Sequence, residues 1–227
     1  MSMGLLEFAR GPALWISLLV LIAGSLWRVV AIFRLGTRPD HSAPRSTRRL
    51  AGILRGIFGR MIPRREFRRG TMLRVFNSYL YHLGLAIIAF GFLPHILFIE
   101  RFTGLGWPPL PAPVTYLAAG VTIVALLIAL QDRLGDPVLR LLSGFDDYFS
   151  WFVVFLPLLT GMAALSGWSP QAASGEAPVY RLALTMHLLS VELLFLWLPF
   201  GKLSHAVLVF FSRGVTGAAL ARKGAPI

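Results

Sequence analysis

Histidine is the residue type in this sequence best suited to chemistry. There are five, and four fall in two apolar stretches: His82 and His95 in one, His187 and His205 in the other. His41 lies in an arginine-rich segment and reads as solvated. Ionisable side chains inside a membrane span are costly, face the bundle interior and mark functional positions. One such histidine reads equally well as a metal ligand or as a hydrogen-bonded packing residue; two pairs point to ligation. Zinc and di-iron sites want three or more ligands close together, commonly with carboxylates. Here the histidines of one stretch stand 13 or 18 residues apart, about 20 Å or about 27 Å along a helix. Glu192 is the one acid well inside a span, five residues from His187. Four imidazoles in two pairs instead suit axial ligation of a flat iron macrocycle. The chain has no cysteine. That excludes disulfides, thiol redox chemistry, Cys-ligated zinc or iron–sulfur clusters, and haem attached through C-x-x-C-H.

The elements that must hold these residues are apolar helices. Of the 227 residues, 56% are hydrophobic and 14% charged, with a mean hydropathy of +0.70. Soluble domains carry roughly 25% charged residues, so the composition predicts a polytopic all-α membrane protein. A helix crosses the bilayer core with about 20 apolar residues. Five stretches qualify: 12–33, 75–99, 114–130, 148–165 and 182–211. The last is long and is expected to tilt or to project from the membrane. The first could be a secretory signal, but the main block of positive charge follows it, which suits a retained anchor.

Net charge is +12, and its location decides its meaning. Between Arg34 and Arg74 stand 12 arginines against two acids, Asp40 and Glu66. The positive-inside rule places this segment in the cytoplasm. Five spans then put the N-terminus and the loops around Leu105 and Trp168 outside, and the C-terminus inside. Within the basic segment, Leu50 to Phe58 reads as a short interfacial amphipathic helix lying on anionic headgroups. The same surface could dock a cytoplasmic partner. A nucleic-acid role is excluded, because the remaining charge is ordinary. Pro108, Pro109, Pro111 and Pro113 mark a stiff outer turn, and Gly167 to Pro178 a second outer loop.

This topology matches the histidines by depth. The second span runs inside to outside and the fifth runs back, so His95 meets His187 at the outer level and His82 meets His205 at the inner one. Phase is mixed. Eighteen steps at about 100° return His187 and His205 to one face, whereas thirteen leave His82 and His95 about 140° apart. Pro94 is placed to kink the second span and re-aim His95. Gly84 and Gly91 suit either a close macrocycle or ordinary small-residue helix packing.

The run from His187 to His205, with its Pro-Phe-x-Lys-Leu-x-His ending and 18-residue interval, resembles the cytochrome b (gamma) subunit of respiratory nitrate reductase. The family includes the cytochromes b of sulfur-metabolism redox complexes and of membrane-bound heterodisulfide reductases. Length, five spans and an N-out topology are similar, as are Arg140 to Asp146 and Thr160-Gly161. The resemblance implies a single integral membrane cytochrome b domain over 1–227 with two haem b groups. Their ligands would be His95 with His187 and His82 with His205. It also implies quinone exchange and electron transfer to or from a partner subunit. In the nitrate reductase subunits the second-span histidines stand closer together than His82 and His95. Those subunits also carry a lysine after the second span near the quinol pocket; the lysines here are Lys202 and Lys223. Lys202 and Arg74 on the inner side, and Arg101 and Arg181 on the outer, are candidate propionate partners beside their ordinary roles at helix ends.

The sequence thus reads as an electron-transfer subunit of a quinone-linked oxidoreductase in a prokaryotic inner membrane. It would serve a cytoplasmic iron–sulfur or catalytic partner in a respiratory chain and not act alone on the terminal substrate. The rival is a haem-free anchor recruiting a soluble complex through the basic segment. A transporter fits less well, since no inverted repeat or paired broken helices appear.

Overall fold

In the computed structural model, residues 4–34, 41–59, 61–63, 65–166 and 178–225 are described. Residues 167–177 of the expected second outer loop, and Arg38, Arg60 and Arg64 of the basic segment, lie outside them. The described residues form helices, with no strand among them. In chain order these are α1 (Leu5–Arg34), α2 (Arg49–Phe58), α3 (Arg68–Gly91), α4 (Leu93–Thr103), α5 (Ala112–Gly135), α6 (Pro137–Leu142), α7 (Phe145–Ser166), α8 (Pro178–Trp197) and α9 (His205–Arg222). A π-helical turn at Ala9–Ala13, where Pro12 withholds its N–H, interrupts the regular winding of α1.

Six stretches among the described residues are long and apolar enough to cross a bilayer: α1, α3, α5, most of α7 and α8, and Lys202–Arg222. Protein covers little of them. Only 6% of the apolar window of α1 is buried, and α5, the best covered, reaches 28%. Apolar surface on that scale requires lipid; the chain is a multi-pass membrane protein.

Two of the expected spans are interrupted. The stretch 75–99 breaks at Phe92, whose extended backbone (φ −86°, ψ 126°) separates α3 from α4. Pro94 stands two residues on, in the first turn of α4, where its missing N–H costs nothing. The stretch 182–211 is not one tilted helix. α8 ends at Trp197, a tight turn runs through Pro199 and Gly201, and α9 starts at His205. Phe200 and Gly201 both donate their N–H to the Trp197 carbonyl, at 3.1 and 3.0 Å. Proline ends the helical ladder and Gly201 takes an extended conformation (φ −86°, ψ −173°). The argument from an 18-residue phase therefore falls, and the 140° mismatch in the second span loses its basis too.

The chain divides into two compact units, Met1–Leu14 with Leu73–Leu194, and Trp15–Met72 with Phe195–Ile227. The first is built on α5. Gly84 of α3 sits against Thr122 and the Ala118 carbonyl, where a Cβ would clash, and buried Asn77 donates to the Ala125 carbonyl at 2.9 Å. Trp151 of α7 donates to the Leu126 carbonyl at 2.8 Å. Val153, Thr122, Ala125 and Leu126 fill the space between. At one end, Arg133 ties α5 to Ser143 and to the buried carboxylate of Asp147, both at 2.8 Å.

The second unit is held by backbones in contact. α2 and α9 run antiparallel: a Cβ on Gly52 would strike Ala221 and the Gly217 carbonyl, and one on Gly56 would strike the Arg213 carbonyl and Gly217. Ile53 and Ile57 close over Gly214. Arg213 donates to the Ile57 carbonyl at 3.3 Å, and Arg222 to the Ser42 carbonyl at 2.7 Å. The expected amphipathic helix at Leu50 to Phe58 is present, with Leu50, Leu54 and Phe58 exposed on the face away from α9.

Candidate metal centre

α3 stops at Gly91, and the last carbonyls of a helix have no intrahelical partners. Three of those here find partners outside the helix. Trp107 Nε1 donates to the Phe90 carbonyl at 2.7 Å, and the Leu110 N–H to the Gly91 carbonyl at 2.9 Å. The third is the Ile88 carbonyl, which accepts from His95 Nδ1 at 2.8 Å. The break at Phe92 turns α4 so that His95 reaches back seven residues to this oxygen. The proline-rich 104–111 segment lies over the same helix end, with Leu110 filling the hollow at Gly91. Gly84 and Gly91 are therefore helix-packing and loop-packing glycines.

His187 is positioned by α7. Its Nδ1 lies 3.1 Å from the Pro157 carbonyl and 3.4 Å from Thr160 Oγ1. The Thr160 hydroxyl also meets Ser190 Oγ at 2.9 Å, and Ser190 donates to the His187 carbonyl at 2.7 Å. Gly161 leaves the ring its room, since a Cβ there would approach Cε1 to 3.1 Å.

The two rings come together. Their centroids are 6.1 Å apart and their planes 17° from parallel. Phe92 packs edge-on against His95 at 5.3 Å. A carbonyl oxygen only accepts, so each Nδ1 carries its hydrogen and each lone pair rests on Nε2. No hydrogen bond to either Nε2 occurs among the described residues. This is the arrangement by which metal-ligating histidines are oriented from their far side. A metal–imidazole bond of about 2.0 Å, with the ring centroid roughly 1 Å beyond the nitrogen, sets two axial rings about 6 Å apart. The observed separation fits one metal ion between two imidazoles, and no group of three or more His, Asp or Glu suited to a metal occurs among the described residues.

His82 and His205 belong to different units, and each is exposed. His82 Nδ1 donates to the Ser78 carbonyl at 2.7 Å, and its ring stacks on Tyr81 at 4.6 Å. His205 Nδ1 donates to the Lys202 carbonyl at 2.8 Å. All four histidines are thus in one tautomer, each fixed by a backbone carbonyl.

The basic candidates separate. Arg74 is engaged by two acids, with Nη2 2.6 Å from Asp136 and Nε 3.6 Å from Asp132. It links α3 to the end of α5. The same Asp136 caps α6 by accepting from the Val138 and Leu139 N–H groups. The Arg74 guanidinium, followed by those two N–H donors, holds its carboxyl below the usual carboxylate range. Arg101 lies exposed in the last turn of α4, where a cation suits the helix dipole. Arg181 is exposed in the first turn of α8, and Lys202 in the turn before α9. Sequence reasoning missed Asp136, Asp132, Arg133 and Asp147, whose signal was opposite charge at the ends of consecutive helices. It also missed Trp107, Thr160 and Ser190 as supports of the histidine pair.

No protein-family model matches the sequence. A protein of Nitratidesulfovibrio vulgaris strain Hildenborough is 31% identical over 225 residues, which span 96% of this chain and 95% of the relative. Two chains alike from end to end at that level share one fold and one descent; this chain belongs to the family of that Nitratidesulfovibrio protein.

Proposed function

We propose that the chain is a membrane cytochrome b subunit carrying two haem b groups. It exchanges electrons between the quinone pool and a cytoplasmic iron–sulfur or catalytic partner of a respiratory complex. The observation that supports this best is the His95–His187 pair: parallel imidazoles at 6.1 Å, half-buried among apolar helices, with Nδ1 of each engaged by a carbonyl. These residues fit a bis-imidazole haem. Two ligands suffice for a macrocycle that supplies its own four equatorial nitrogens, whereas a bare ion would need more donors than this pair offers. Bound there, haem b supplies one-electron redox chemistry. The chain's part is to aim both rings, exclude water and set the local charge. The Ile88 and Pro157 carbonyls orient the rings and raise their basicity. His82 and His205 are in the same tautomer and are the remaining candidate ligands.

The α2–α9 pair supports five crossings with the N-terminus outside and the C-terminus in the cytoplasm. α2, with 10 residues, is too short to span and carries Arg49 and Arg55. Its backbone contact with α9 extends from Arg213 to Ala221, which draws that half of α9 out of the hydrocarbon together with the arginines. The membrane is then the inner membrane of a prokaryote. The exposed basic and apolar surface of α2 also suits a haem-free anchor for a soluble complex, the second reading.

Reduced-minus-oxidised spectra of the purified protein should show b-type bands, and a pyridine haemochrome assay two haems per chain. His187→Ala should remove one haem and His205→Ala the other. A protein that inserts fully and is colourless ends this reading and leaves the anchor.

A further inference from the structure

Glu192 lies in α8, five residues beyond His187 and within a stretch apolar enough to cross a bilayer. The residue is 5% exposed, and its Oε1 is buried without a hydrogen-bond partner among the described residues. No ion pair or other polar contact to Glu192 occurs among them. Along α8 the titratable neighbours are His187 and Arg181; from other elements no charged or titratable group touches the carboxyl among the described residues. A carboxylate with neither water nor counter-ion is costly, and such a group holds a proton and stays neutral.

The helix also provides a route. At about 100° per residue, Arg181, Thr185 and Glu192 fall within about 40° on one face of α8. Thr185 is 3% exposed and donates to the Arg181 carbonyl at 2.6 Å. The exposed Arg181 marks the start of this face, about 16 Å along the axis from the buried carboxyl. His187 lies about 7 Å from Glu192 along the same axis and about 140° around it, so a charge held between His95 and His187 acts on the carboxyl from across the helix.

We propose that Glu192 is a proton-binding site within the membrane, exchanging its proton with the Arg181 end of α8, and that its occupancy follows the charge between His95 and His187. The coupling rests on the haem reading above; the proton site stands without it. At a pH high enough to have removed that proton, a fall of one positive charge between His95 and His187 would let the Glu192 carboxylate take one proton back from water, forming an O–H bond. Return of the charge would break that bond and release the proton to water. At a separation of about 15 Å and an effective dielectric of about 20, the charge changes the proton affinity of Glu192 about sixfold.

Infrared spectroscopy of the full-length protein in lipid nanodiscs tests the site. The wild type should show the carbonyl band of a neutral carboxylic acid at pH 7, shifted in heavy water and missing from Glu192→Gln. No such band in the wild type, or a band unchanged in the variant, overturns the proton site. If that variant cannot be recovered, Glu192→Asp decides: the band should move in frequency, and a band that stays in place overturns the proton site. The coupling is read from the midpoint potential of the pigment that His187→Ala removes. In the wild type the electron affinity should fall as pH rises, about sixfold across the transition, and in Glu192→Gln it should be flat. A flat wild type, or a variant that keeps the slope, overturns the coupling. A colourless protein removes the haem reading and the coupling with it, while the infrared band still decides the proton site.

Discussion

The two units of the molecule solve the same problem with different chemistry. Helices in lipid gain little from burying apolar surface against one another, so they associate through close packing and hydrogen bonds. The unit of α3 to α8 uses side chains that reach backbone carbonyls: Asn77 to Ala125, Trp151 to Leu126, Trp107 to Phe90, His95 to Ile88 and His187 to Pro157. The unit containing α2 and α9 uses the absence of side chains, with Gly52, Gly56 and Gly217 bringing two backbones together. Directional bonds hold a ring at one angle, which ligation needs. Glycine contacts bring two helices close and orient nothing, which serves a clamp. The candidate ligands with the most elaborate support accordingly lie in the first unit.

Substitution should break the clamp most severely. Gly217→Val places a Cβ 2.8 Å from Gly56 Cα and onto the Gly52 carbonyl, both backbone atoms that cannot swing aside. Overpacking of this kind costs about 1–3 kcal/mol or more. Tryptic cleavage at Arg48, Arg49 and Arg55 should accelerate by about tenfold or more as α2 is released, while the first unit keeps its resistance. Equal loss of resistance in both units would mean that the contrast between them is wrong.

Trp151→Phe sharpens the contrast from the other side. It removes one donor to the Leu126 carbonyl and leaves most of the ring packing. Hydrogen bonds between membrane helices average about 0.6 kcal/mol, so the thermal midpoint should fall slightly and cooperativity persist. A collapse as large as that of Gly217→Val would show that side-chain bonds, not packing, carry the first unit.

The smallest effect should be at Arg74. Asp136 titrates below the usual carboxylate range because of Arg74, so the stabilisation that this pair adds is present above pH of about 4 and is lost as pH falls through the depressed value. Thermal midpoints of wild type and Arg74→Gln should therefore differ at neutral pH and converge in acid. A difference that persists below pH of about 2 would assign the effect to packing instead.

Much of this was legible in the residues. Apolar runs showed the membrane helices, and histidine depth matched His95 with His187 and, equally, His82 with His205. Pro94 marked where the second span would be redirected. The redirection itself was not readable, because it depends on the Phe92 backbone and on which carbonyl the ring would find. The stretch 182–211 shows the opposite failure. Apolar side chains continue on both sides of Pro199 and Gly201, so composition conceals the break that these two make through the backbone. Gly52, Gly56, Gly214 and Gly217 were visible as small residues, but their pairing joins segments about 160 residues apart, and no local pattern encodes it.

The end of α3 has a practical consequence. One helix terminus seats both the imidazole of His95 and the strap formed by residues 104–111. Anything that pries the strap loose, a harsh detergent above all, bares the same terminus and frees the ring to turn. Loss of the ring's seat during solubilisation would then begin at Trp107, and its fluorescence should change first.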